Sequence, residues 1–307
     1  MKAITSAIAE YYRWLDKRFL LVSVGFLAAI VFANYRFGIA EKLHDAPFFY
    51  KFAAYNLLFV CVFAGSWLVF LYNSRTVSPE NIPAPDSRFY LLLALTPAVF
   101  AIKMAMPVGK IVHNLPIHSS IHQYLEIVLQ WPTKLVVVVI LVNLLWKFAG
   151  GKKLPAGLNT FRLRELRPYL LLLSLMLPLI LLAATGHDFQ LAYPKLALIH
   201  MENGERPGFW RTLLFEVAYG TDFFTIEFFF RGFVVLCFAR YAGRAAILPM
   251  ALFYCTIHFG KPLAECISSF FGGLLLGAIV FNTRSIWAGL VVHLGIAWAM
   301  EIAGMIL

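Results

Sequence analysis

Blocks of apolar residues long enough to cross a bilayer recur from one end of this chain to the other, and no other feature limits the fold so strongly. Spanning the hydrocarbon core takes about 20 mostly apolar residues. Stretches at about 19–34, 52–72, 89–106, 133–149, 169–186, 211–239, 245–259, 264–282 and 285–305 approach or exceed that length. Of 307 residues, 61% are apolar and 14% charged, against roughly 25% charged in a soluble domain, so one aqueous core could not hide the apolar surface. The sequence predicts an all-α, polytopic transmembrane helical bundle with eight or nine membrane helices.

The formal net charge of +10 does not form the aromatic-interleaved patch expected of a nucleic-acid binder. Basic residues sit in short clusters between apolar blocks, as orientation signals do. Lys147, Lys152, Lys153, Arg162, Arg164 and Arg167 place the 147–167 connector on the cytoplasmic side. Counting outward puts Lys2, Arg13, Lys17 and Arg18 on that side too, with Arg240, Arg244 and Arg284. The chain therefore reads as an integral membrane protein, N-terminus cytoplasmic. Phe19–Ala33 reads as a retained signal-anchor helix, and 73–88, with Pro79, Pro83 and Pro85, as a solvated turn. Cys61, Cys237, Cys255 and Cys266 lie in apolar stretches without paired spacing, and read as small buried hydrophobes rather than a disulfide frame or zinc site.

The useful division is functional: residues 1–200 form an N-terminal membrane-helix region, while 201–307 place ionisable groups inside helices. A charge near a bilayer centre costs roughly 2.5–3.5 kcal/mol on insertion scales, so it usually faces a partner or a wet cavity. Glu227 and Arg231 are four apart and share a face on an α-helix, and the three phenylalanines between them point toward lipid or neighbouring helices. His258 stands where Gly260 and Pro262 end a helix, in the position of a cap. His293 lies about two turns into the last apolar block. A break at Gly220 would split 211–239 into two helices.

Carboxylate and imidazoles together suit water activation or proton relay. Neither H-E-x-x-H nor G-x-S-x-G occurs, and Asp222 is the only aspartate in an apolar helix, so a glutamate–histidine arrangement remains. The order Glu227-x-x-x-Arg231-Gly232, Tyr254-x-x-x-His258 with its Phe-Gly-Lys-Pro262 corner, and Ser285-Ile-Trp-Ala-Gly289 leading to His293 resembles the CAAX prenyl protease and bacteriocin-processing (CPBP) family over roughly 210–305. The resemblance, which is to the family's bacterial branch, implies an intramembrane endopeptidase of a bacterial inner (plasma) membrane. In it Glu227 and His258 would activate water, His293 would bind the oxyanion or the water, and Arg231 would anchor the glutamate. It implies no organic cofactor, while histidine and glutamate leave a divalent metal compatible. The expected partners are the lipid bilayer and a membrane-associated protein or peptide substrate, with no nucleic acid.

Two positions depart from the family pattern. Ile226 stands where a first glutamate is usual, and Ala297 where an asparagine follows the late histidine by four. Glu301 and Glu216 are candidate substitutes, each also placed as a helix-end group. The departures leave room for a catalytically inactive CPBP-fold protein that binds a partner or peptide, and Glu227 with the histidines would also serve a proton-coupled carrier. A separate line of His118, His122 and Glu126, with His113 upstream, has metal-ligand spacing, but reads first as the polar face of an interfacial helix.

Overall fold

Local signals start and stop the helices. Asp16 Oδ1 accepts the Phe19 amide at 2.7 Å and caps α2 (Lys17–Phe37), which Gly38 closes in the left-handed conformation. The computed structural model describes residues 2–74, 85–114, 119–154, 157–158, 166–198 and 208–306. Before α2 lies α1 (Lys2–Trp14), and after it come α3 (Ile39–His44), α4 (Phe48–Ser74), α5 (Ser87–Ala105), α6 (Val108–His113) and α7 (Ser119–Phe148). Then follow α8 (Arg167–Ala184), α9 (His187–Ala192), α10 (Phe209–Ile226), a π-helical segment Glu227–Val235, α11 (Leu236–Ala242), α12 (Ile247–Thr256), α13 (Leu263–Thr283) and α14 (Trp287–Ile306). Among the described residues there are no strands, only an isolated bridge between Leu158 and Ser285.

Seven of the described helical spans are long and apolar enough to cross a membrane: Lys17–Phe37, Phe48–Tyr72, Ser87–Ala105, Tyr124–Phe148, Arg167–Ala184, Leu263–Thr283 and Trp287–Ile306. Large apolar side chains such as Leu21, Leu57, Leu68 and Leu182 stand exposed along them, as lipid-facing surface does. The chain is an all-α polytopic membrane protein. The two further blocks expected from the sequence, 211–239 and 245–259, are helical but not among the seven. The first carries Glu216, Asp222, Glu227 and Arg231, and the second contains only the ten-residue α12. The helix runs unbroken through Gly220, and the irregularity falls instead at Glu227. The expected solvated turn lies mostly outside the described residues.

Two compact units emerge: Met1–Ala105, Ile140–Thr160 and Phe228–Ile286 in the first, and Met106–Val139, Phe161–Glu227 and Trp287–Leu307 in the second. Each draws residues from both sides of position 200. Lipid tails are as apolar as leucine, so helices in a membrane are held by close packing rather than by escape from water. In the first unit that packing is aromatic. Phe59 and Phe63 of α4 lie 4.8 and 5.5 Å from the Phe253 ring of α12, and Phe100 of α5 lies 4.9 Å from Phe230. Such ring pairs contribute about 0.5–1.5 kcal/mol beyond area burial. On α13, Gly273 and Gly277 form a small-xxx-small face against α12. A Cβ on Gly273 would stand 3.3 Å from the Ala251 Cα, so the two backbones touch.

In the second unit, Phe215, Ala218 and Tyr219 of α10 pack with Tyr124 and Val128 of α7 and Ala297 of α14. The Tyr124 hydroxyl donates to the Arg211 carbonyl at 2.8 Å. Near its end, α14 meets the chain after α9 backbone to backbone. A Cβ on Gly304 would stand 2.7 Å from the Tyr193 carbonyl carbon, whereas one on Gly272 of α13 meets nothing within 4 Å.

These two glycines make a paired test. Gly304→Ala lowers stability by about 1–3 kcal/mol, the usual range for overpacking. Gly272→Ala leaves it unchanged or raises it, since alanine is the better helix former. Thermal unfolding of the two purified variants in detergent reads the difference directly.

Candidate functional site

Glu227 has no exposed surface. It follows the last α-helical residue of α10 and opens the π-helical segment, its own amide bonding back to the Phe223 and Phe224 carbonyls. π-Helical turns, with hydrogen bonds five residues apart, are rare and are found at functional sites. The wider turn also removes the α-helical stacking on which the expected shared face of Glu227 and Arg231 depended.

Within the second unit, Glu227 meets His293 of α14. The imidazole Nδ1 lies 3.0 Å from Oε1 of the carboxylate. A carboxylate accepts, so Nδ1–H donates, and the neutral ring keeps its lone pair on Nε2. The edge-on ring of Phe223, 4.9 Å from His293 at 72°, flanks the imidazole one turn before Glu227. A buried carboxylate holding a histidine by Nδ1 is the arrangement that fixes an imidazole's tautomer and orientation.

Within the first unit, Tyr254 organises the other two predicted site residues. Arg231, fully buried, lies with its guanidinium carbon 3.9 Å above the Tyr254 ring centroid. That is a cation–π contact worth about 0.5–2 kcal/mol. The Tyr254 carbonyl accepts from Nδ1 of His258 at 3.1 Å, and the tyrosine and imidazole rings meet edge to face at 4.7 Å. His258 therefore does cap α12, as its place before Gly260 (φ +85°) and Pro262 suggests. The bond puts the basic nitrogen at Nε2 here too. The structure thus groups the four predicted residues in two pairs, Glu227 with His293 and Arg231 with His258 on Tyr254.

Of the two directions the sequence leaves open to the phenylalanines between Glu227 and Arg231, lipid or neighbouring helices, the structure takes the second. Phe228, Phe229 and Phe230 are buried, and the rings of Phe229 and Phe230 pack on Phe100, which carries the buried Lys103 at 4.8 Å. That buried cation of α5 lies in the N-terminal region, outside the stretch whose ionisable groups the sequence singles out. Ile226 and Ala297, at the positions of the two family departures, are both buried, Ala297 in the cluster around Phe215. Of the candidate substitutes, Glu301 is buried in α14 and uses both oxygens structurally. Oε1 accepts the Lys195 amide at 2.9 Å and Oε2 the Leu196 amide at 3.3 Å, clamping a short helical turn, Lys195–Leu198. Glu216 is partly buried on α10.

His118 and the side chains of His113 and His122 lie outside the described residues, and Glu126 lies against Gly109 of α6. Among the described residues, no three His, Cys, Asp or Glu side chains gather as a metal-holding group.

Residues 207–299 match the family described as type II CAAX prenyl endopeptidase Rce1-like. The match supports assignment of this third of the chain to the CPBP family, as its motifs implied. No curated protein and no solved structure matches the chain.

The clamp role of Glu301 separates from chemistry by one substitution. Gln at 301 offers one acceptor oxygen where the carboxylate offers two, and a bond to a charged group contributes about 1.5–3 kcal/mol. Glu301→Gln therefore speeds amide exchange at Lys195 and Leu196, and exchange as slow as in the parent would remove the clamp.

Proposed function

We propose that this chain, whose residues 207–299 match the Rce1-like family, is an intramembrane endopeptidase that hydrolyses a peptide bond of a membrane-associated protein or peptide. The observation that carries the reading is the 3.0 Å contact between the Glu227 carboxylate and His293 Nδ1, with Glu227 wholly buried. A carboxylate held away from water is an expensive group in such a chain. Paired with an imidazole, it makes a general base.

In the proposed reaction, Glu227 holds His293 with Nε2 toward a water molecule. Nε2 takes the proton as the water oxygen attacks the peptide carbonyl, and the Glu227 carboxylate stabilises the imidazolium that forms. The same proton passes to the departing amine as the C–N bond breaks. This gives His293 the water-activating role that resemblance alone gives His258. The reason is Ile226: with no glutamate there, the remaining carboxylate is bonded to His293, and that pair is the base. The reaction as written needs no organic cofactor.

A second reading, a CPBP-fold membrane protein that binds a partner or peptide without cutting it, is favoured by the apolar, buried Ile226 and Ala297.

Glu227→Gln separates the two. For the endopeptidase it lowers kcat/KM toward a membrane peptide in liposomes by roughly 10²–10⁴-fold, the usual contribution of a general base. His293→Gln keeps a donor for Glu227 but supplies no base, and has the same effect while its melting temperature stays near that of the parent. Cleavage that survives both substitutions would sink the reading, and a parent protein that cuts nothing while still binding peptide supports the second.

A further inference from the structure

The proposed chemistry leaves unused a pair of buried thiols beside the His258 corner. Cys255 on α12 and Cys266 on α13 are eleven residues apart, with sulfurs 3.7 Å from one another. Cys255 Sγ lies 3.2 Å from the Cys266 carbonyl, and Cys266 Sγ lies 3.7 Å from the Cys255 carbonyl, so each thiol is aimed at the other residue. Cys61 is exposed and Cys237 is buried.

The two helices cannot drift far apart. Gly273 and Gly277 bring α13 against Ala251, Ile247 and Met250 of α12. A disulfide bond is roughly 2.05 Å long, so the sulfurs need approach by only roughly 1.7 Å, a distance side-chain rotation can supply. The chain between them contains His258, Phe259, Gly260, Lys261 and Pro262. Tyr35 of α2 holds that corner from outside, its hydroxyl donating to the Lys261 carbonyl at 2.7 Å. Cys255 directly follows Tyr254, the residue that carries both Arg231 and His258.

We propose that Cys255 and Cys266 form a redox modification site, at which a peroxide joins the two thiols in a disulfide that staples α12 to α13 across the His258 corner. The balance is simple. One thiol attacks the peroxide O–O bond, an S–O bond forms, and the sulfenic acid and one water result. The second thiol then attacks that sulfur, the S–S bond forms, and a second water leaves. Two thiols are oxidised and one peroxide is reduced to two waters. Gly260 and Leu263 are exposed at the corner, Leu263 one turn before Cys266. Burial restricts the reaction to a small neutral oxidant.

The test uses the full chain in detergent, with hydrogen peroxide as probe, on a Cys61→Ala, Cys237→Ala background and in parallel on the unsubstituted chain. After oxidation, denaturation and alkylation, the site loses two alkylatable thiols and the protein loses the mass of two hydrogens. Digestion yields one linked peptide pair spanning Cys255 and Cys266, and a thiol reductant reverses all of this. Thiols that remain alkylatable, or that go singly to sulfinic or sulfonic acid, overturn the site, and mapping the unsubstituted chain reads the same result should the background variant not fold. A second readout rests on the endopeptidase reading: hydrolysis falls on oxidation and recovers on reduction. Undiminished hydrolysis by fully linked protein overturns the coupling to His258. Because the link is read by mass, a chain that proves not to be a hydrolase leaves it intact.

Discussion

A carboxylate with no exposed surface, in a chain that lipid solvates, has to be met by hydrogen-bond donors from the protein itself. For Glu227 one of those donors is Nδ1 of His293, 3.0 Å away. Desolvation penalises an isolated charge far more than a hydrogen-bonded one, so the bond joins the end of α10 to α14 as well as shaping a site. The surrounding features fit that demand. The helix changes to π geometry where Glu227 stands, Phe223 borders the imidazole, and Gly220 lets α10 approach Leu294, the residue after His293.

Tyr254 does comparable work in the other unit. Its ring face, the negative end of an aromatic quadrupole, takes the guanidinium of Arg231, while its carbonyl takes the imidazole of His258. Two expensive groups therefore meet at one residue whose own ring packs on Phe230. The aromatic core of α4, α5 and α12 fixes that ring in place, which ties the position of the site to ordinary van der Waals packing. Glu301 follows the same rule with a different result. Its carboxylate is satisfied by two backbone amides, and so it serves the fold as a clamp.

Much of this was legible in the residues. Seven of the nine apolar blocks correspond to the spans long and apolar enough to cross a membrane, because length and hydropathy are local properties that the bilayer reads directly. Glu227, Arg231, His258 and His293 stood out because charge and imidazole are costly in such blocks. The departures at Ile226 and Ala297 were equally visible, and both side chains are buried. Lys103 escaped notice because one lysine near a helix end looks like a residue reaching for the headgroups, and only its burial over Phe100 marks it as different.

The sequence by itself determined that the chain is a helical membrane protein, and which of its polar residues needed partners. Only the tertiary structure decided who those partners are. A period of 3.6 residues could not show that the helix would widen at Glu227, nor that the phenylalanines beyond it would be buried rather than turned to lipid. The eleven-residue spacing of Cys255 and Cys266 matches no motif, yet the glycine face of α13 brings their sulfurs to 3.7 Å. Hydropathy is summed along the chain, whereas hydrogen bonds, ring contacts and thiol pairs depend on distances between helices, and close packing sets those distances.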